Sequence, residues 1–231
     1  MKHLKLFLLY LLRNPYICYI YGILRFFFFR LTFKIKIINS PDAIKASNKH
    51  NFEAMFQIKT QFFMNRFDRL IFSMMANERF FLNSKILIIG PRSESDILKL
   101  YAYGYRNIEA IDLLSYSPRI KIMDAHNIEY KANTFDSIFC GWVLPYSTKP
   151  KKIANSIIRV IKNGGLVSIG IEYSPKEPIN SLKKIKTLFK GYIENIFFEY
   201  DADLKKKPFS YLRKQTFSSS SQILLQFSIK K

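Results

Sequence analysis

Between Lys85 and Gly170 the chain alternates short apolar runs with stretches of helical periodicity, and that alternation admits few architectures. Lys85-Ile86-Leu87-Ile88-Ile89 reads as the first strand, a continuous apolar run of the kind expected of a strand buried on both faces, and it ends at Gly90. Such a strand belongs to a parallel sheet with helices on either side, so repeated βαβ units are expected. Six of the eight glycines (Gly90, Gly104, Gly141, Gly164, Gly165 and Gly170) lie in this region, where strand-to-helix turns must be tight.

After Gly90 comes Pro91-Arg92-Ser93-Glu94-Ser95-Asp96, in which Ser93 is expected to cap a helix running to about Gly104. Glu94 and Asp96 then stand in its first turn, where the helix dipole favours anions. A second strand, Asn107–Ile111, ends at Asp112, 22 residues beyond Gly90. That separation brings a carboxylate to the ribose hydroxyls of a nucleoside held at the first helix. Further along stand Lys121-Ile122-Met123-Asp124-Ala125-His126, then Asn133–Trp142 (NTFDSIFCGW), a helix from about Pro150, and Arg159–Gly170 (RVIKNGGLVSIG).

Over about residues 84–173 this succession resembles the class I S-adenosylmethionine-dependent methyltransferases of the bacterial small-molecule type. The resemblance implies a Rossmann-like, doubly wound α/β sheet of about seven strands, mostly parallel with an antiparallel C-terminal strand. It also implies S-adenosylmethionine as cofactor, with Asp112-Leu113 at the ribose, Asp124-Ala125 bracketing the adenine, and Gly141 and Trp142 beside the methyl donor. The chain departs from the family in the first loop, where an acidic residue and alternating glycines are replaced by Ile88, Gly90, Arg92 and Glu94. Either Arg92 pairs with the methionine carboxylate and Glu94 with its ammonium, or the pocket is closed and the domain is non-catalytic.

Methyl transfer is an in-line displacement, so the protein aligns donor and acceptor and, for an alcohol acceptor, removes a proton. His126, Tyr146 and Glu172 are the candidate bases. Each has a structural alternative: a turn cap, a packing residue, and a lysine-paired carboxylate. Trp142, the only tryptophan, either stacks on a ligand or plugs the gap between sheet and helix. His3, His50 and His126 are scattered and Cys18 and Cys140 stand far apart, so no metal cluster or disulfide framework is expected.

Residues 1–38 form an apolar, aromatic stretch punctuated by Lys2, Lys5, Arg13, Arg25, Arg30, Lys34 and Lys36. A cleaved signal peptide fits poorly, because no small-residue cleavage site follows the first apolar run. A spanning helix from Tyr16 to Phe33 would place Arg25 in the hydrocarbon at a cost of about 2.5–3.5 kcal/mol. The arm is expected either to lie in an anionic membrane interface or to cover an apolar face of the domain. Residues 39–50 read as a polar linker, giving an arm and linker over 1–50 and a methyltransferase-like domain over 51–231.

Within that domain Phe56, Phe62, Phe63, Phe67, Leu70, Ile71 and Met74 suit one helix face, and Ser181–Lys190 a basic helix. Tyr192–Tyr200 and Gln222–Ile229 read as a closing antiparallel strand pair, with a basic, serine-rich loop, Asp201–Ser221, between them.

The net charge of +20 favours polyanions, but abundant Lys, Ile, Asn, Phe and Tyr are also what AT-rich coding produces, so nucleic acid is not the expected partner. The expected function is methyl transfer to a small-molecule or cell-envelope-related acceptor, in the cytoplasm or peripherally at the inner membrane face. The alternatives are a non-catalytic scaffold at a membrane surface and an RNA methyltransferase.

Overall fold

The computed structural model describes residues 3, 7, 10–44, 52–53, 66–172, 178–201 and 222–231. Phe56, Phe62, Phe63 and nearly all of the Asp201–Ser221 loop lie outside these residues. The described chain opens with helix α1 (Pro15–Thr32), started by Asn14, whose side chain accepts from the Tyr16 and Ile17 amides. Strand β1 (Lys36–Ile37) and helix α2 (Arg66–Met75) precede the alternating region. There the order is β2 (Ile86–Ile89), α3 (Ser95–Ala102), β3 (Ile108–Asp112), β4 (Leu114–Ser115), β5 (Lys121–Ile122) and β6 (Phe135–Gly141). It continues with α4 (Pro150–Val160), β7 (Ile161–Glu172), α5 (Leu182–Leu188), β8 (Ile193–Asp201) and β9 (Gln222–Ile229).

Seven strands make one sheet in the order β5-β3-β2-β6-β7-β9-β8. The pairs among β5, β3, β2, β6 and β7 are parallel, and β9 runs antiparallel to both β7 and β8. This is the expected doubly wound arrangement with its antiparallel C-terminal strand. The period of two divides β2 between two cores. Ile86 and Ile88 face Phe67, Leu70, Ile71 and Met74 of α2 and Ile97 and Leu100 of α3. Leu87 and Ile89 face Ile153, Ala154 and Ile157 of α4 and Ile185 and Leu188 of α5. All four β2 side chains are buried, which is why that strand is written as a continuous apolar run.

One local expectation is corrected. Helix α3 begins at Ser95 with Glu94 in the cap position, and Glu94 makes no side-chain cap bond; Ser93 is not the cap. The hydroxyl of Ser93 instead meets that of Ser95 at 2.9 Å. The described part of the proposed linker, residues 39–44, is fastened to the domain: Ala43 bridges Ser147, and the Ile44 amide donates to the Tyr146 carbonyl at 2.9 Å.

Helix α1 covers α3 and the turn after β3. Cys18 packs with Leu98 and Ala102, and Phe26 packs on Leu114 and Tyr116, with the Phe26 and Tyr116 rings edge to face at 5.0 Å. No helix among the described residues is long and apolar enough to cross a membrane.

Candidate active site

Parallel strands end together, so the carboxyl edge of the sheet collects Gly90 after β2, Asp112 at the end of β3, Asp124 after β5, Gly141 at the end of β6 and Glu172 at the end of β7. In open α/β sheets this edge is where ligands bind.

Gly90 has φ +72°, and an added Cβ would lie 2.3 Å from Val143 Cγ2. The turn is therefore open only to glycine. Two residues on, Arg92 keeps a left-handed backbone, φ +57°, in the second of the positions where the resemblance expects glycine. The Arg92 amide donates to Asp112 Oδ2 at 3.0 Å and the Leu114 amide to Oδ1 at 3.3 Å, so Asp112 ties the glycine loop to its own strand end. Burial pushes the Asp112 carboxyl above its ordinary range, against the pull of those backbone N–H groups.

Asp124 stands beside Asp112: Asp112 pairs in register with Ile122, and its carbonyl accepts from the Met123 amide at 3.1 Å. The Asp124 carboxylate turns to His126, accepting from its backbone N–H at 2.9 Å and meeting Nδ1 at 2.6 Å. On the other side of the ring, Nε2 lies 2.6 Å from Ser147 Oγ. The Lys149 amide donates to that same hydroxyl oxygen at 3.0 Å, and with Nδ1–H of a neutral imidazole donating to the Asp124 carboxylate the Ser147 hydroxyl donates to Nε2. Both ring nitrogens are thus engaged. Ala125, between them in sequence, is buried.

Glu94 is 1% exposed, and its carboxylate receives the Arg25 guanidinium, with Nη2 3.0 Å from Oε1, and the Ser117 hydroxyl. Its charge is met from α1 and from the turn after β3. Trp142, φ +58°, lays its ring over Gly170, where a Cβ would be 3.1 Å from Cη2, and packs with Leu70 in the core beneath α2. That is the plug position between sheet and helix. Tyr146 closes a short 3-10 turn, Leu144–Tyr146, beyond β6. Glu172 pairs in register with Gln222 of β9. Leu113 offers its carbonyl to the Ile38 amide at 2.9 Å.

Residues 36–44 thereby form a strap along this edge. It joins β4 through β1, meets His126 Nδ1 through Ser40 Oγ at 3.4 Å, and reaches the loop after β6 through Ala43 and Ile44. Asp42 anchors it, with Lys149 and Lys152 each 2.7 Å away. Those two lysines hold the Asp42 carboxyl down at about 2. Sequence reasoning missed Arg25, Ser40, Ser117, Val143 and Ser147. Only Arg25 carried a signal, as a lone cation within an apolar helix.

Comparisons with known proteins bear on this edge. Residues 103–169 match the sequence model of a methyltransferase domain. The fold is similar to that of the N-methyltransferase NodS from Bradyrhizobium japonicum, solved with S-adenosyl-L-homocysteine, at 14% identity over 79% of this chain and 98% of that one, TM-score 0.58. It is also similar to a putative methyltransferase from Bacillus halodurans, at 12% identity over 71% and 100% of the two chains, TM-score 0.52. The [4+2]-cyclase SpnF shares it too, at 13% identity over 71% and 79%, TM-score 0.54. A comparison with curated proteins returned no match. Residues 103–169 thus match a methyltransferase domain, and the sheet built around them has the fold of class I S-adenosylmethionine-dependent methyltransferases.

Proposed function

We propose that this chain transfers a methyl group from S-adenosylmethionine to a small-molecule or cell-envelope-related acceptor at the carboxyl edge of its sheet. One observation carries the reading: Asp112 ends β3 beside the Gly90 turn and is hydrogen-bonded to the backbone of that turn at Arg92. Asp112 is half-buried as a residue, and each of its carboxylate oxygens, accepting a backbone N–H from Arg92 or Leu114, keeps a further lone pair for ribose hydroxyls. The residues present fit the adenosine half of the cofactor through Asp112 and Leu113, with Asp124 and Ala125 on the neighbouring strand end.

When bound, the cofactor would supply an electrophilic methyl on a sulfonium, open to in-line attack by the acceptor's lone pair with S-adenosylhomocysteine as the thioether leaving group. The protein's own work is to orient both partners and exclude water. In this reading Arg92 faces the methionine carboxylate. Glu94, already partnered by Arg25, serves the ammonium only through a shared network. For an alcohol acceptor, Tyr146 or Glu172 takes the proton. His126, engaged at both nitrogens, is a positioning residue that holds the strap.

A second reading has an observation of its own: Val143 presses on Gly90 and Arg25 occupies Glu94, as in a domain that keeps the fold without the reaction. Titration calorimetry separates the two. Methyl transfer predicts S-adenosylmethionine binding that Asp112→Ala weakens at least tenfold, with the melting temperature followed in parallel. Absence of heat at millimolar cofactor favours the non-catalytic scaffold.

A further inference from the structure

Helix α1 has two unlike faces. Its inner face is fixed to the domain by Cys18, Phe26 and the Arg25–Glu94 pair. Its outer face carries Ile20, Leu24, Phe27, Phe28 and Leu31, exposed by 57%, 63%, 46%, 59% and 87%. The spacing i, i+4, i+7, i+8, i+11 puts these five on one stripe. Arg25 is the only charged residue from Pro15 to Phe29, and it is turned to the other side. An apolar stripe of this size on a water-facing helix marks a contact surface.

The charges decide what meets it. Lys34 and Lys36 are exposed just past the end of the helix. A second copy of the chain would bring another +20 against them, whereas an anionic surface is attracted. Eighteen residues make a rod about 27 Å long, and with one face locked onto α3 it can only lie flat. We infer that α1 is an in-plane anchor for a bilayer containing anionic phospholipid, its apolar stripe seated at the headgroup boundary and Lys34 and Lys36 among the phosphates. The inference stands independently of methyl transfer.

Sedimentation of the full chain with vesicles of phosphatidylcholine containing 30% phosphatidylglycerol, against pure phosphatidylcholine, tests it. The wild type is expected to pellet with the anionic vesicles and to be released by salt. Leu24→Asp with Phe28→Asp should lower partitioning at least tenfold with the melting temperature unchanged. Lys34→Glu with Lys36→Glu should lower it severalfold. Leu31→Glu, at the most exposed position of the stripe, provides a variant with the least bearing on folding. A wild type that stays in the supernatant with anionic vesicles overturns the inference. So does a dimer in sedimentation velocity that the Leu24 and Phe28 substitutions dissociate, since the stripe would then belong to a second copy.

Discussion

The guanidinium of Arg25, on the N-terminal helix, lies across the buried carboxylate of Glu94, with Nη2 3.0 Å from Oε1, and joins two segments 69 residues apart. The Glu94 side chain is 2% exposed and that of Arg25 17%. Removing one partner of such a pair leaves a charge in low dielectric without compensation, at a cost of about 3–5 kcal/mol. Arg25→Ala should therefore destabilise strongly in urea titration, whereas Arg25→Met with Glu94→Leu recovers most of the loss. A double variant as unstable as the single one would show that the loss comes from the missing pair itself and not from an uncompensated buried charge.

The loop after β2 should respond with opposite signs to two glycine changes. Arg92→Gly relieves a left-handed side chain, and after allowing for the entropy of an unfolded glycine it should stabilise by about 0.5–1 kcal/mol. If Arg92 holds the methionine carboxylate, the same variant binds S-adenosylmethionine roughly tenfold more weakly. Gly90→Ala adds a methyl 2.3 Å from Val143 Cγ2 on a backbone at φ +72°, and should cost at least about 2 kcal/mol. Thermal melts measure both.

Asp96, 5% exposed in the first turn of α3, gives the domain a pH dependence. Burial pushes its carboxyl from the ordinary 3.8 up to about 7; Asp68 adds to the rise, and Lys99 and the Ser95 hydroxyl oppose it. The folded state therefore holds the proton more tightly than the unfolded chain. The stability this gives is whole below 3.8 and is lost as pH rises toward 7. Asp96→Asn should match the wild type near pH 4 and exceed it by a few kcal/mol at pH 8. Equal stabilities at both values would mean that Asp96 ionises freely where it lies.

The positions of Gly90, Asp112 and β6 are legible in the sequence because burial on both faces writes itself as an apolar run, and parallel strands must end together. The pairing of Glu94 is not. Its partner sits on the arm, and no local pattern announces a contact across 69 residues. The strap is not legible for a different reason. Ile38, Asp42, Ala43 and Ile44 fasten it through main-chain bonds to Leu113, Thr148, Ser147 and Tyr146, which require no particular side chain. Trp142 follows β6 in the sequence, but a single aromatic does not disclose which way its ring turns; Gly170, lacking a Cβ, makes the room for it in the core.

The Asp124–His126–Ser147 chain predicts how firmly that strap is held. Burial works against ionisation of Asp124, but the Ser40 hydroxyl and the backbone and ring of His126 outweigh it and keep the carboxyl below its ordinary 3.8. Its contribution is thus complete above the unfolded value and is lost as pH falls through the folded one. With Asp124 ionised, Nδ1 carries the imidazole proton and Nε2 accepts from Ser147, whose hydroxyl lies beside the Ala43 bridge. Asp124→Asn should raise hydrogen exchange at the Ile38 and Ile44 amides already at pH 7, a rise that the wild type shows only in acid. Ser147→Ala, which leaves Nε2 without its donor, should do so at a cost of about 1–3 kcal/mol. Turnover then separates positioning from catalysis at His126. As a positioning residue, His126→Gln slows the reaction only in proportion to the loosened strap and leaves the pH profile unchanged. Loss of a titration in kcat would make it the base.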